Sequence, residues 1–207
     1  MSNLTNLTTI QEYIDNWETI RNNSEAIKTY LNFADSFTFT NVFPNAEELH
    51  IYPGVDFETE KMYMIIVDAD KDEERDYSNI VVVEVNDDNN NTTGFGSIAP
   101  KAPISEPIDE EITARDAVSR IVKWRLDRNS WIDTQAATTD GIFSAFAVPC
   151  SYMVLNDVYV TMFALKKGRN NTHTADLVTI NNGFYNIVRP VPPFGGKDRK
   201  TKFGLLS

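Results

Sequence analysis

The chain has 207 residues and a mass of 23.4 kDa, with 42% hydrophobic, 24% charged and 11% aromatic residues, enough to bury a core and so to exclude a disordered chain. No apolar run reaches the roughly eighteen residues of a membrane span, the start Met1-Ser2-Asn3-Leu4-Thr5 has neither the basic region nor the apolar run of a secretory signal, and the single Cys150 excludes an internal disulfide and a cysteine-cage zinc site. The formal net charge is −11 and segregated, with −17 on residues 1–165 and +6 on the last 42, so duplex nucleic acid is not an expected direct partner and neither is a membrane. A soluble protein, made in the cytoplasm and held together by packing alone, is expected.

Apolar residues at Ile10, Tyr13, Ile14, Trp17 and Ile20, then at Ile27, Tyr30 and Leu31, keep a three-and-four spacing. They predict one interrupted or two short amphipathic helices, the second capped by Ser24. Phe33 to Phe43 reads as an extended, aromatic connector. Strands are predicted at Leu49–Tyr52, Met62–Val67 and Ile80–Val85, the last two as continuous apolar runs covered on both faces.

Asn86 to Gly94 is polar throughout, and Pro100, Pro103 and Pro107 follow, so residues 86–108 are expected to form a long surface connection. Thr113 with Asp116 has the form of a capping box. A helix follows, with Ala114, Ala117, Val118, Ile121, Val122 and Leu126 as its apolar stripe toward Trp131. Strands are expected at Ile142–Val148, Met153–Leu155 and Val158–Leu165, and a short hairpin at Leu177–Ile180 and Phe184–Val188 around Asn181-Asn182-Gly183. The order helix, strands, helix, strands argues for one α+β domain over residues 1–188, with N-terminal and central helices packed on a largely antiparallel sheet. Residues 189–207, rich in proline, glycine and lysine, read as an extended basic C-terminal arm able to anchor on a neighbouring chain through Phe203, Leu205 and Leu206.

The helix, hairpin, helix, strand order of residues 10–165 resembles bacteriophage tail-terminator or head-to-tail connector proteins. The resemblance implies a ring-forming virion component of the neck or tail that grips its neighbours with long loops and terminal arms. Charge layout points the same way. Between Glu47 and Glu111 lie 18 acids and four bases, and a basic tail on one copy docking on this acidic face of the next is a heterologous contact, which builds rings or filaments.

Candidate chemistry is sparse. Asp68-Ala-Asp70-Lys-Asp72 has the alternating carboxylates of a calcium loop, but Glu73 stands where that loop needs glycine and Asn79 where it needs a bidentate glutamate. A solvated hairpin loop is expected there. Asp87-Asp88 has the side chains of an exposed turn, and Cys150 beside Pro149 those of a packed small hydrophobe. Gly94-Phe-Gly96 and Gly195-Gly196-Lys197 lack the strand-to-helix setting of a phosphate loop. His50 is placed in a strand and His173 in a polar turn.

On the helix after Thr113, Arg115, Arg120, Lys123, Arg125 and Arg128 interleave with Trp124 and Trp131. Bases late in a helix suit its dipole, and Arg with Trp also suits a contact face. The partner-contact candidates are therefore Arg120, Lys123, Trp124 and Arg128 on the helix, with Arg199, Lys200, Lys202, Phe203 and Leu205 on the arm. No enzyme, catalytic residue, metal or cofactor is expected. The expected partners are further copies of the chain and other assembly proteins. Two other readings stay open: a small-molecule or peptide binding module using Tyr52, Tyr63, Trp124, Trp131 and Tyr159, and a metal-assisted enzyme using Asp68 and Asp70.

Overall fold

A computed structural model describes residues 6–87, 111–168, 172–181, 183–186, 188–191 and 202–206. Two helices, α1 (Leu7–Ile20) and α2 (Ser24–Leu31), open the described chain. Each is capped by asparagine: the Asn6 side chain accepts the Thr8 N–H, and Asn23, one residue before the expected Ser24, accepts the Ala26 N–H at 3.2 Å. Among the described residues ten strands form two antiparallel sheets.

The first sheet has the order β5-β1-β7-β8-β9, with β1 Ala34–Thr40, β5 Asn86–Asp87, β7 Val158–Lys167, β8 His173–Ile180 and β9 Phe184–Tyr185. The expected connector at Phe33 to Phe43 is thus a strand within this sheet, because Ser36 to Thr40 pairs register by register with Met162 back to Val158. His173 opens β8 opposite Lys167 and does not sit in a turn. The second sheet has the order β10-β6-β2-β3-β4, with β2 Glu48–Asp56, β3 Lys61–Asp68, β4 Val81–Glu84, β6 Ala145–Pro149 and β10 Arg189–Val191. Buried residues fill both faces of β2 and β3. β4 is only half-buried despite its apolar run, because it lies at the sheet edge. Met153–Leu155 forms no strand: the chain turns there, with Asn156 at φ 65° and the Val154 N–H donated to the Tyr159 hydroxyl at 2.7 Å.

Strand alternation sorts the side chains into three clusters. Phe37, Phe39, Phe163 and Leu177 of the first sheet and Ile51, Met64, Phe146 and Val148 of the second share the main core, joined by Trp17, Ile27, Trp124 and Ile132 from the helices. The opposite face of the second sheet packs Tyr52, Ile65, Val67 and Ala147 against Ile10 and Ile14 of α1. The opposite face of the first packs Met162, Ala164 and Val178 against Ala117 and Ile121 of α4 (Ala114–Ala136). Helices on a pair of antiparallel sheets make an α+β fold.

Two further elements differ in detail from expectation. The acidic stretch after β3 is a short helix, α3 (Ala69–Glu74), because the Asp68 carboxylate caps it by accepting the Asp70 N–H at 2.9 Å, and Arg75 ends it in the left-handed region. Its Asp72 points inward and is buried. On α4, Thr113 is the cap, accepting the Asp116 N–H at 3.2 Å, but the buried row after Ile121 is Trp124, Arg128, Ile132 and Ala136. Val118, Val122 and Leu126 of the expected stripe are exposed instead.

Candidate functional site

The sequence candidates fall in two places, a cradle around residues 202–206 and helix α4. β2 supplies the cradle floor, since its alternation turns His50 and Tyr52 to the face opposite the main core, and α3 lays Asp72 over them. His50 Nδ1–H donates to Asp72 Oδ2 at 2.6 Å, and the Tyr52 hydroxyl and the Gly204 N–H, at 3.1 Å, donate to the same oxygen. Phe203 stacks on the His50 ring at 4.0 Å between centroids and meets Tyr52 edge-on at 5.8 Å. From α1, the Gln11 amide donates to the Leu205 carbonyl at 3.1 Å. Position 204 takes only glycine: a Cβ there would collide with the Asp72 carbonyl and lie 2.6 Å from the Tyr77 hydroxyl.

Charge is held inside this cradle by pairing. Burial works against a charged His50, but its hydrogen bonds to Asp72 and Glu48 and their charges outweigh that, so its pKa stands above the ordinary 6.5. Burial, then the Asp72 charge, raises the pKa of Tyr52 far above the ordinary tyrosine value and pushes Tyr77 up to about 12. Both hydroxyls stay protonated, as donors must. Glu48 also meets Arg189 of β10 at 2.5 Å, which ties the cradle to the strand that leads toward the arm.

The described parts of the arm therefore lie against the chain's own body, where the sequence reading placed them on a neighbour. Phe203 and Leu205 are buried, and Val191 joins them in the same cluster, because the second sheet has an apolar face that α1 alone leaves open. Lys202 remains exposed, 3.5 Å from Glu73. Arg199 and Lys200 lie outside the described residues, as do most of the expected 86–108 connection and Gly195-Gly196.

On α4 the basic, aromatic candidates face inward. Trp124 is wholly buried, donates its indole N–H to the Ala34 carbonyl at 2.8 Å and stacks on Phe163 at 5.3 Å. Arg128 is buried against Asp35 at 3.0 Å, and Arg125 reaches the same carboxylate at 2.6 Å. Arg120 donates to Asp176 at 3.2 Å and to the Asn186 side-chain Oδ1, holding a buried carboxylate whose pKa burial raises. Lys123 is half-buried and pairs with Asp127 one turn on, while Arg115 and Arg125 are exposed. Arg120, Trp124, Arg125, Arg128 and Trp131 thus each have a partner in the first sheet, whereas Arg115 lies exposed.

The aromatic set of the binding-module reading does not converge on one cavity. Tyr52, Trp124 and Tyr159 are core residues, and Tyr63 stacks on Tyr13 at 5.1 Å. An open groove of about 570 Å³ lies elsewhere, lined by Thr29, Tyr30, Phe33, Lys61, Glu84 and Asn86 among others. Asp68 and Asp70 are spent on the α3 cap and its first turn. Among the described residues no group of three or more His, Cys, Asp or Glu side chains is placed to hold a metal ion. Cys150 is buried and its thiol pKa is pushed up to about 12 by burial, so it is unreactive in the folded chain. No described helix is long and apolar enough to cross a membrane.

Compared with known protein families, with curated proteins and with solved structures, the chain finds no match.

Proposed function

We propose that the chain is a structural subunit of a symmetric ring or tube, such as a virion neck or tail component of a bacteriophage, joining further copies of itself and other assembly proteins. The observation that carries this reading is the gathering of exposed aliphatic side chains at two places on a well-packed body: Val118, Val122 and Leu126 on α4, and Val154, Leu155 and Val158 in the turn before and at the start of β7. Grouped exposed apolar side chains mark contact surfaces. Charge adds support, since the −17 of residues 1–165 complements the +6 of the last 42. The cradle adds a third strand, because a Lys-Phe-Gly-Leu-Leu segment supplied by a neighbouring copy would make the same contacts that residues 202–206 make within the chain. On this reading the protein is made in the cytoplasm and ends in the virion, and no catalysis is assigned to it.

Electron microscopy of the purified chain tests the reading. Rings or tubes of uniform diameter are expected, and fields that hold nothing larger than a single chain overturn it for the chain alone. The open groove favours a second reading, a small-molecule or peptide binding module, because exposed Phe33 and half-buried Tyr30 line it beside the Lys61–Glu84 ion pair. Saturable binding of an aromatic peptide that is lost in a Phe33→Ala variant would support this second reading.

A further inference from the structure

Helix α4 carries an outward line of side chains that is its own complement. With 3.6 residues per turn, residues 115, 122, 126 and 133 project within about 40° of one another on the helix. They read Arg115, Val122, Leu126, Asp133, spaced seven, four and seven residues apart. Leu126 is 77% exposed and Val122 43%, with Val118 at 41% on the flank. Arg115 is exposed, and Asp133 keeps half of its side-chain surface while meeting Lys28 at 2.6 Å.

Base, apolar, apolar, acid is a palindrome in charge. Laid against an identical helix running the opposite way, Val122 falls opposite Leu126 of the second copy and Leu126 opposite its Val122. At the two ends Arg115 falls opposite Asp133. A parallel arrangement would set arginine on arginine and acid on acid. The placement also runs against what the isolated helix prefers, since a base near the N-terminus and an acid near the C-terminus both oppose the helix dipole. Two antiparallel helices relieve that conflict, each charge then lying beside the favourable end of the other helix. Exposed ion pairs add little strength, so the aliphatic pairs hold the contact and the charges set its direction.

We propose that the outer face of α4 is a two-fold self-association surface whose occupant is α4 of a second copy, antiparallel and centred between Val122 and Leu126. The proposal shares with the assembly reading the premise that copies meet, and it names a pairwise contact that a head-to-tail ring does not require.

The test uses the full chain with Cys150→Ala as background. One preparation carries Val122→Cys and a differently tagged one Leu126→Cys. When they are mixed and mildly oxidised, the cross-linked pair between the two is expected to exceed either pair of like chains. Charge exchange gives a second readout: Arg115→Asp and Asp133→Arg singly are expected to weaken the dimer about tenfold each, and the double variant to restore it to within about threefold. A cross-linked pair no more abundant than the like pairs, or a double variant as weak as the singles, overturns the proposal. Large particles that persist in a Leu126→Asp variant with no such cross-link sink the α4 contact and leave the assembly reading standing. A cross-link formed in a chain never larger than a dimer supports the α4 contact and sinks the ring or tube.

Discussion

At Asp72 three donors, two from β2 and one from residues 202–206, converge on one carboxylate oxygen: His50 Nδ1–H, the Tyr52 hydroxyl and the Gly204 N–H. A carboxylate oxygen at this depth is satisfied by them, and each donor is locked by its bond in turn. Stability should therefore follow His50. Its folded pKa lies above 6.5, so protonation contributes stability that is complete below the unfolded value of about 6.5 and is lost as pH rises through the folded value. Urea unfolding from about pH 5 to about pH 9 should show this loss in the parent chain and not in a His50→Gln variant; a difference between the two that stays constant with pH would refute it. Phe203→Ala empties the stacking position on His50 and should cost about 3 kcal/mol, read as a lowered urea midpoint. Gly204→Ala should instead release residues 202–206, because its Cβ has no room beside Asp72 and Tyr77. Faster limited proteolysis after Lys202 would report that release. None of this cradle was legible in the sequence, where Asp72 stands 22 residues from His50 and 132 from Gly204. The apolar tip Phe203-Leu205-Leu206 was legible as an anchor, but nothing in one sequence says whose surface it anchors on.

Elements were easier to read than their faces. The Thr113-Asp116 box located the start of α4 because a cap is a local device, needing only a side-chain oxygen within reach of the next free N–H. Thr113→Ala should cost about 1 kcal/mol in chemical denaturation, with little change outside the helix. The face of α4 was misread because two apolar rows run along it, Ala117-Ile121-Trp124-Ile132 and Val118-Val122-Leu126, and both keep helical spacing. What decides between them is Asp35 on β1, which pairs with Arg128 and so turns that arginine inward, a pairing 93 residues long. The aromatic run before β2 was misread for a similar reason: pairing with β7 lies more than a hundred residues ahead. Between α1 and β2 the limit is space. A Cβ on Gly54 would sit 2.8 Å from Ile65 Cδ1 and 2.9 Å from Tyr13 Cβ, so Gly54→Ala should push α1 off the sheet. The expected outcome is a loss of about 1–3 kcal/mol in urea unfolding, as overpacking commonly costs.

At the scale of the molecule, the buried charges among the described residues are paired, while the net charge stays divided between an acidic body and a basic end. That division was fully legible, since counting needs no structure, and so was the α+β class, but not β1 or α3, which the sequence presents as a connector and a loop. The split into two sheets was not, because sheet order depends on long-range register. Residues 1–165, with a formal charge of −17, repel their like unless the basic end or an apolar face offsets that charge, so association between copies should be sensitive to screening at a Debye length of about 10 Å in 0.1 M salt. The most direct measurement is the solution mass of the full chain by light scattering, over a range of concentration, at low and at high salt. A defined oligomer that loosens as salt rises is the predicted result. The mass of a single chain, 23.4 kDa, at every concentration and both salts would contradict it.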